Sequence, residues 1–359
     1  MDDTKHNQDP PPPAPAAPDC CPPGSIDNAK VLYDRPIQGH MVEISLDPSG
    51  DDDKPPEPMP CYCTGCPLSE ATTVVAIFTD VYGIDAGHHK VFADLLAEEM
   101  TTTAKKTNGP DDEKKVSVLI PDIQRGIPIL QPWINDDYKL SKDLVGSFLG
   151  SPGMVYRLKY NYKPAKVERD IFELILPWIK LQQAPQATAA ATTTKLGCVG
   201  FCFGGWVVGR ILGYDDQTEN NDDEKNRLQF QCGVGIHPSF QPNVIHGELP
   251  TTMAQRITKP ILLLPAWNDI DMKPGTKVVN ILASNAIERR NIERSSISSN
   301  DDKKEDDDEE EAEEPPVSIE FPSQLHGWVS RGNPNDPQIA AEQKRALQLT
   351  VEFLTSNMK

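Results

Sequence analysis

The sequence predicts an α/β fold with a mainly parallel sheet flanked by helices, and three observations carry that prediction. Short β-branched or apolar runs recur along the chain, segments with helical spacing lie between them, and the two kinds alternate. Such alternation is what strands joined through crossover helices produce. The length of 359 residues allows one large domain or two modest ones, at about 100 to 200 residues per domain.

The strand candidates are residues 73–78, 116–120, 196–200, 230–236, 260–264 and 317–321. Each is short and nearly continuous in apolar residues, as buried parallel strands are. Helical patterns cover 89–100, 166–181, 205–212, 276–291 and 337–356. In the second of these, Val167, Ile171, Leu174, Ile175 and Trp178 share one face. In the last, Ala341, Ala346, Leu347, Val351 and Leu354 form the stripe that would pack across the sheet.

Fifteen of the 34 prolines fall in the first 67 residues, so the chain should begin as an extended arm rather than as packed structure. The expected organisation is a disordered Pro-rich arm over 1–18 and a single domain over 19–359. Four polar stretches, near 101–115, 182–194, 214–226 and 295–314, read as disordered surface insertions, because connections inside compact domains are usually about 4 to 6 residues.

Charge narrows the partners. Lys plus Arg is 35 against 54 acids, a net charge of −19, which argues against nucleic acid and against an anionic membrane. Residues 301–314 hold eleven acids against Lys303 and Lys304, so about half the excess is one solvated run. No apolar run reaches the roughly 18 residues of a membrane span, and the start lacks the basic and apolar parts of a signal peptide. A cytoplasmic protein, monomeric or weakly dimeric, is expected, and most of its eight cysteines should be thiols.

The strongest local signal runs from Leu196 to Trp206, an apolar strand entering glycines and then a helical segment. Cys202 stands between Gly200 and Gly204 in the pattern of a nucleophile elbow. A strand-to-helix turn this sharp leaves no room for a Cβ on either side of the nucleophile, and a thiol at a helix N-terminus is biased towards thiolate. The plain alternative is a glycine-rich turn around an inert buried cysteine. No Gly-x-Gly opens the elbow, as a dinucleotide loop requires, and GxxxxGK[ST] does not occur.

An acid and a histidine follow in the order such a fold needs. The apolar run at 262–264 leads into Asp269 and Asp271 at the carboxyl end of a strand, and His326 lies in a loop just after another. His88, His89 and His237 have no partner at ligand spacing and read as surface and core positions. Cys61, Cys63 and Cys66 with Cys20 and Cys21 could offer sulfur to zinc, although the spacing is irregular for a zinc knuckle.

Phe201-Cys-Phe-Gly-Gly205, Asn268-Asp269 and His326-Gly-Trp-Val with Arg331 resemble the dienelactone hydrolase family, and in particular its carboxymethylenebutenolidase-like eukaryotic members. The segments Asp19 to Ser25 and Thr79 to Ile84 agree, and the likeness runs from about residue 19 to the end apart from the polar insertions. The resemblance implies an α/β-hydrolase fold and a Cys202, Asp269, His326 triad that hydrolyses a small ester or lactone through a thioester. It favours Asp269 over Asp271 and explains Cys20 and Cys21 without a metal, so neither metal nor organic cofactor is expected.

In that scheme the oxyanion donors are the backbone N–H of Phe203 and that of Val81 or Tyr82. Asp80 stands where bacterial members carry a longer glutamate near the resting thiol, and Arg331 stands near a guanidinium that binds a substrate carboxylate. Arg331 lies five residues after the histidine where bacterial members have four. The rival reading is a non-catalytic hydrolase-like binding or regulatory protein that keeps the pocket.

Overall fold

The computed structural model describes residues 35–46, 57–108, 115–130, 152–183, 194–214, 228–298 and 316–358. Seven strands form one sheet in the order β1-β2-β4-β3-β5-β6-β7. They are β1 (His40–Ile44), β2 (Met59–Gly65), β3 (Thr73–Phe78), β4 (Val116–Pro121), β5 (Lys195–Phe201), β6 (Phe230–Ile236) and β7 (Ile261–Leu264). From β4 to β7 every pairing is parallel, while β1, β2 and β4 pair antiparallel.

The two sheet faces are covered separately, as the period of two along a strand demands. On β3, Val74, Ala76 and Phe78 join the cluster that holds Trp206, Val207 and Ile211 of helix α5 (Phe203–Leu212), here numbered in chain order with the helices given below. Val75 and Ile77 point to the other cluster, with Phe92 and Leu96 of α1 (His89–Asn108) and Leu347 and Leu354 of α10 (Pro337–Asn357). Asp336 caps α10 by accepting from the N–H groups of Gln338 and Ile339. The remaining helices are α2 (Pro152–Asn161), α3 (Pro164–Arg169), α4 (Leu176–Gln183), α6 (Pro242–Ile245), α7 (Pro250–Arg256), α8 (Lys277–Ser298) and α9 (Trp328–Arg331). A π-helical stretch, Asp170–Ile175, joins α3 to α4.

Three expectations change. The proline-rich start is not wholly an arm, because β1 and β2 form a packed hairpin. Prolines flank these strands more than they interrupt them, and Met59, Cys61 and Tyr62 are buried. The Tyr62 hydroxyl donates to Asp94 of α1 at 2.7 Å and accepts from Gly39 N–H at 2.7 Å, which ties the hairpin to the body. Second, the polar insertions start too early: α1 runs on to Asn108, α4 to Gln183 and α8 to Ser298, and Tyr214 stacks on Phe172 at 4.0 Å. Lys, Thr and Glu are adequate helix formers once the first turns are packed. The arm at 1–18, residues 109–114 of the first insertion and most of the other three lie outside the described residues.

Third, residues 317–321 make only isolated parallel bridges to the β7 side, Leu263 with Ser318 and Ala266 with Phe321. Leu263 N–H donates to Val317 O, Ile319 N–H to Leu263 O and Phe321 N–H to Pro265 O. The next rung needs an N–H from residue 265, and proline has none. The segment still lies beside β7, which is what places the loop that follows it.

Candidate active site

The loops at the carboxyl ends of β3, β5, β6 and β7 converge with the loop after residue 321. Cys202 joins β5 to α5 with φ 52° and ψ −110°, a left-handed backbone for a residue with a side chain. Its neighbours show why glycine is required. A Cβ on Gly200 would lie 2.0 Å from Gly204 O, and one on Gly204 would lie 2.0 Å from Phe78 O. The turn is therefore pressed against the end of β3, and strain at Cys202 is held by its surroundings. The Cys202 carbonyl accepts from Gly205 N–H at 2.9 Å and Ser239 N–H at 3.0 Å.

His326 Nδ1 lies 2.6 Å from Asp269 Oδ1, and the other carboxylate oxygen accepts from Ala266 N–H at 2.7 Å. His326 N–H donates to Asn268 Oδ1 at 2.7 Å, so consecutive residues of the β7 loop fix both the ring and the backbone of the histidine. The sulfur of Cys202 is near enough to the same imidazole to favour its charged form. Burial by itself opposes a charged ring. The sulfur of Cys202 and the carboxylate of Asp269 outweigh it, and the His326 pKa is raised well above the ordinary histidine value. Asp271 is elsewhere: it is exposed and accepts from Gln241 Nε2 at 2.8 Å.

Asp80 and Arg331 meet each other. Arg331 Nη1 donates to Asp80 Oδ2, with both side chains buried, and the guanidinium lies 4.6 Å over the Tyr82 ring. Asp80 also accepts from Ser330 Oγ at 3.1 Å and, through Oδ1, from Tyr82 N–H at 2.9 Å. That last bond commits the Tyr82 N–H to a carboxylate and leaves Val81 as the donor of the pair that Asp80 does not occupy. Phe203 opens α5, where a helix leaves its first N–H groups without intrahelical acceptors.

Sequence reasoning gave no site role to four buried residues here. His237, directly after β6 with φ 37°, packs edge-on against His326 at 4.9 Å, and its Nε2 lies 3.4 Å from Ser330 Oγ. Burial first, then the charge of His326, lowers its pKa well below the ordinary value. His88 and His89 are also buried, not at the surface. Gln124, in the loop after β4, donates to the Asp80 carbonyl at 2.6 Å. A lone positive-φ histidine or a buried loop glutamine leaves no spacing signal to find.

A cleft of about 210 Å³ is lined by His326 and Arg331 with Gln324, Trp328, Asp336 and Ile339, and Cys202 does not line it. Among the described residues no group of three His, Cys, Asp or Glu side chains is arranged to hold a metal ion. Cys61 and Cys63 lie 3.9 Å apart on β2, and all six described cysteines are free thiols. No described helix is long and apolar enough to cross a membrane.

In solved structures, an acylaminoacyl peptidase from Pyrococcus horikoshii matches over 92% of this chain with a TM-score of 0.50 at 13% identity. The chain has the α/β-hydrolase fold. It spans 44% of the length of that peptidase. A dienelactone hydrolase from Anabaena variabilis matches 90% of this chain and 99% of its own, with a TM-score of 0.38 at 11% identity. Est1E from Butyrivibrio proteoclasticus matches over 88% of this chain and 99% of its own, with a TM-score of 0.34 at 10% identity. No sequence-defined family and no curated protein matches the chain in sequence.

Proposed function

We propose that this α/β-hydrolase-fold protein is a cysteine-dependent hydrolase of a small ester or lactone. The observation that carries the reading is His326 Nδ1 held 2.6 Å from Asp269 Oδ1, with the Cys202 sulfur near enough to favour the charged ring and Cys202 itself in a strained left-handed backbone. In the reading His326 holds the thiol proton, and the Cys202 sulfur adds to the ester carbonyl carbon. The π pair moves to oxygen, which the N–H groups of Phe203 and Val81 receive. Collapse expels the alkoxide, which takes the proton from His326. The thioester is then cleaved by water that gives its proton to His326, and the acid leaves with the thiol restored.

Nucleophile, base and oxyanion donors are all protein groups, so the reading uses no metal or organic cofactor. A thiol nucleophile suits a reducing compartment such as the cytosol. Arg331 and Asp80 brace the oxyanion loop against the histidine loop. A substrate carboxylate would reach Arg331 only by sharing it with Asp80.

The test is a panel of small p-nitrophenyl esters and lactones with intact-mass analysis. Turnover with an acyl adduct on Cys202, both lost in Cys202→Ala, is the expected result. Full activity in Cys202→Ala, or no adduct and no turnover across the panel, overturns it in favour of a binding protein built on the same fold.

A further inference from the structure

The oxyanion loop is a peptide whose orientation must be set before the substrate arrives, and the structure shows what sets it. A peptide unit is planar and trans, so fixing its C=O on one side fixes the following N–H on the other. The Asp80 carbonyl accepts from Gln124 Nε2 at 2.6 Å and, within its own turn, from Gly83 N–H at 3.3 Å. The next carbonyl, that of Val81, accepts from Leu130 N–H at 2.9 Å. Both peptide planes that carry the candidate donors are thus held from the loop after β4.

Gln124 is itself held. Its side chain is 3% exposed, Oε1 accepts from Ile129 N–H at 3.0 Å, and its backbone N–H donates to Asp122 Oδ1 at 3.2 Å. The side-chain amide of Gln124 spans two loops with one donor and one acceptor, and no shorter or apolar side chain supplies both. The elbow lies directly against this region, since Gly204 abuts the Phe78 and Thr79 carbonyls immediately before Asp80.

We infer that Gln124 is a positioning residue for the oxyanion hole: its amide holds the Asp80 carbonyl so that the Val81 N–H stays aimed at the developing oxyanion. The inference rests on the hydrolase reading above. Without the amide the Asp80–Val81 peptide is free to flip, and the hole loses one of its two donors. Complete removal of one such donor costs about 10²- to 10³-fold in kcat, so loss of its orientation should cost about 10- to 100-fold.

The experiment compares two reactions at the same sulfur in wild type and Gln124→Met, a variant of similar length that lacks the amide. Acylation by p-nitrophenyl acetate passes through an oxyanion and expels p-nitrophenolate. Alkylation by iodoacetamide displaces iodide at a saturated carbon and forms no oxyanion. The expected result is acylation slowed about 10- to 100-fold, alkylation of Cys202 unchanged within about twofold, and KM nearly constant. Equal loss of both reactions would assign Gln124 a purely structural role, and unchanged acylation would show that the amide does not set the hole; either overturns the inference. A wild-type protein that alkylates at Cys202 but takes no acyl group overturns the hydrolase reading and this inference with it.

Discussion

Arg331 closes on Asp80 across 251 residues of sequence, and both side chains are buried, at 4% and 0% exposure. The pair joins the loop after β3 to the short helix that follows His326. Removing one partner leaves a buried charge uncompensated, which costs about 3 to 5 kcal/mol, whereas removing both can be nearly neutral. Arg331→Met and Asp80→Asn should each lower the urea midpoint strongly, and the double variant should recover much of the loss. A single variant that costs less than about 1 kcal/mol would show a pair exposed to solvent rather than buried.

Cys202 should be the first thiol to react at neutral pH. Its sulfur interacts with the His326 ring, while burial raises the pKa values of Cys61, Cys198 and Cys232, the last to about 12, and pushes half-buried Cys66 to about 11. Cys63 is the competitor, since its bond with Cys61 lowers its pKa. Peptide mapping after limiting iodoacetamide decides between them. Modification at Cys63 ahead of Cys202 would count against the nucleophile.

The two acids after β7 should separate cleanly in kinetics. Asp269→Asn removes the acceptor 2.6 Å from His326 Nδ1 and should lower kcat by about 10³- to 10⁴-fold. Asp271→Asn loses one exposed bond to Gln241 and should change kcat by less than about threefold. Steady-state rates on any accepted ester check both.

Acid should destabilise this protein earlier than carboxylate titration alone would. Burial pushes His88 down to about 4 and also lowers His89 and His237. A histidine whose folded pKa is depressed contributes stability that is fully present above its unfolded value near 6.5. That stability is lost as pH falls from there through the folded value. His326, raised instead, stays protonated in the folded protein, so its contribution grows slightly as pH falls through the unfolded value near 6.5 and offsets a small part of the loss at the top of this window. Urea midpoints should therefore fall between pH 6.5 and 5, by up to about 1.4 kcal/mol per pH unit for each buried histidine. His88→Gln, which keeps a donor for the Gly332 carbonyl, should make the fall shallower. A flat profile would mean that these rings are solvated.

Replacing residues 300–314 with a short Gly-Ser linker should leave both folding and activity intact. The histidine loop is placed by the bonds of Val317, Ile319 and Phe321 to Leu263 and Pro265, all after the acidic run. Closure entropy changes by only about 0.6 kcal/mol per doubling of loop length. A shortened protein with normal Tm but no acylation of Cys202 would show that the run shapes the site.

Local patterns were enough to read the parallel strands, the sharp turn at Cys202 and the loop positions of Asp269, Asp271 and His326. Each is written within a few residues: apolar runs for β3, β5 and β6, and glycines at 200 and 204 because no Cβ fits there. Five things depended on approach between distant segments. Tyr62 bonding Asp94 turned a proline-rich stretch into an edge hairpin, and Pro265 broke the ladder to residues 317–321 by lacking one N–H. The distance to His326 selected Asp269 from two acids that the strand pattern leaves equivalent. Arg331 met Asp80, and Gln124 met the Asp80 carbonyl, because burial leaves a charge or a polar group no partner except the one that folding brings to it. Composition and spacing carry what sterics and periodicity impose on neighbours; the pairing of buried polar groups exists only once the chain has closed around them.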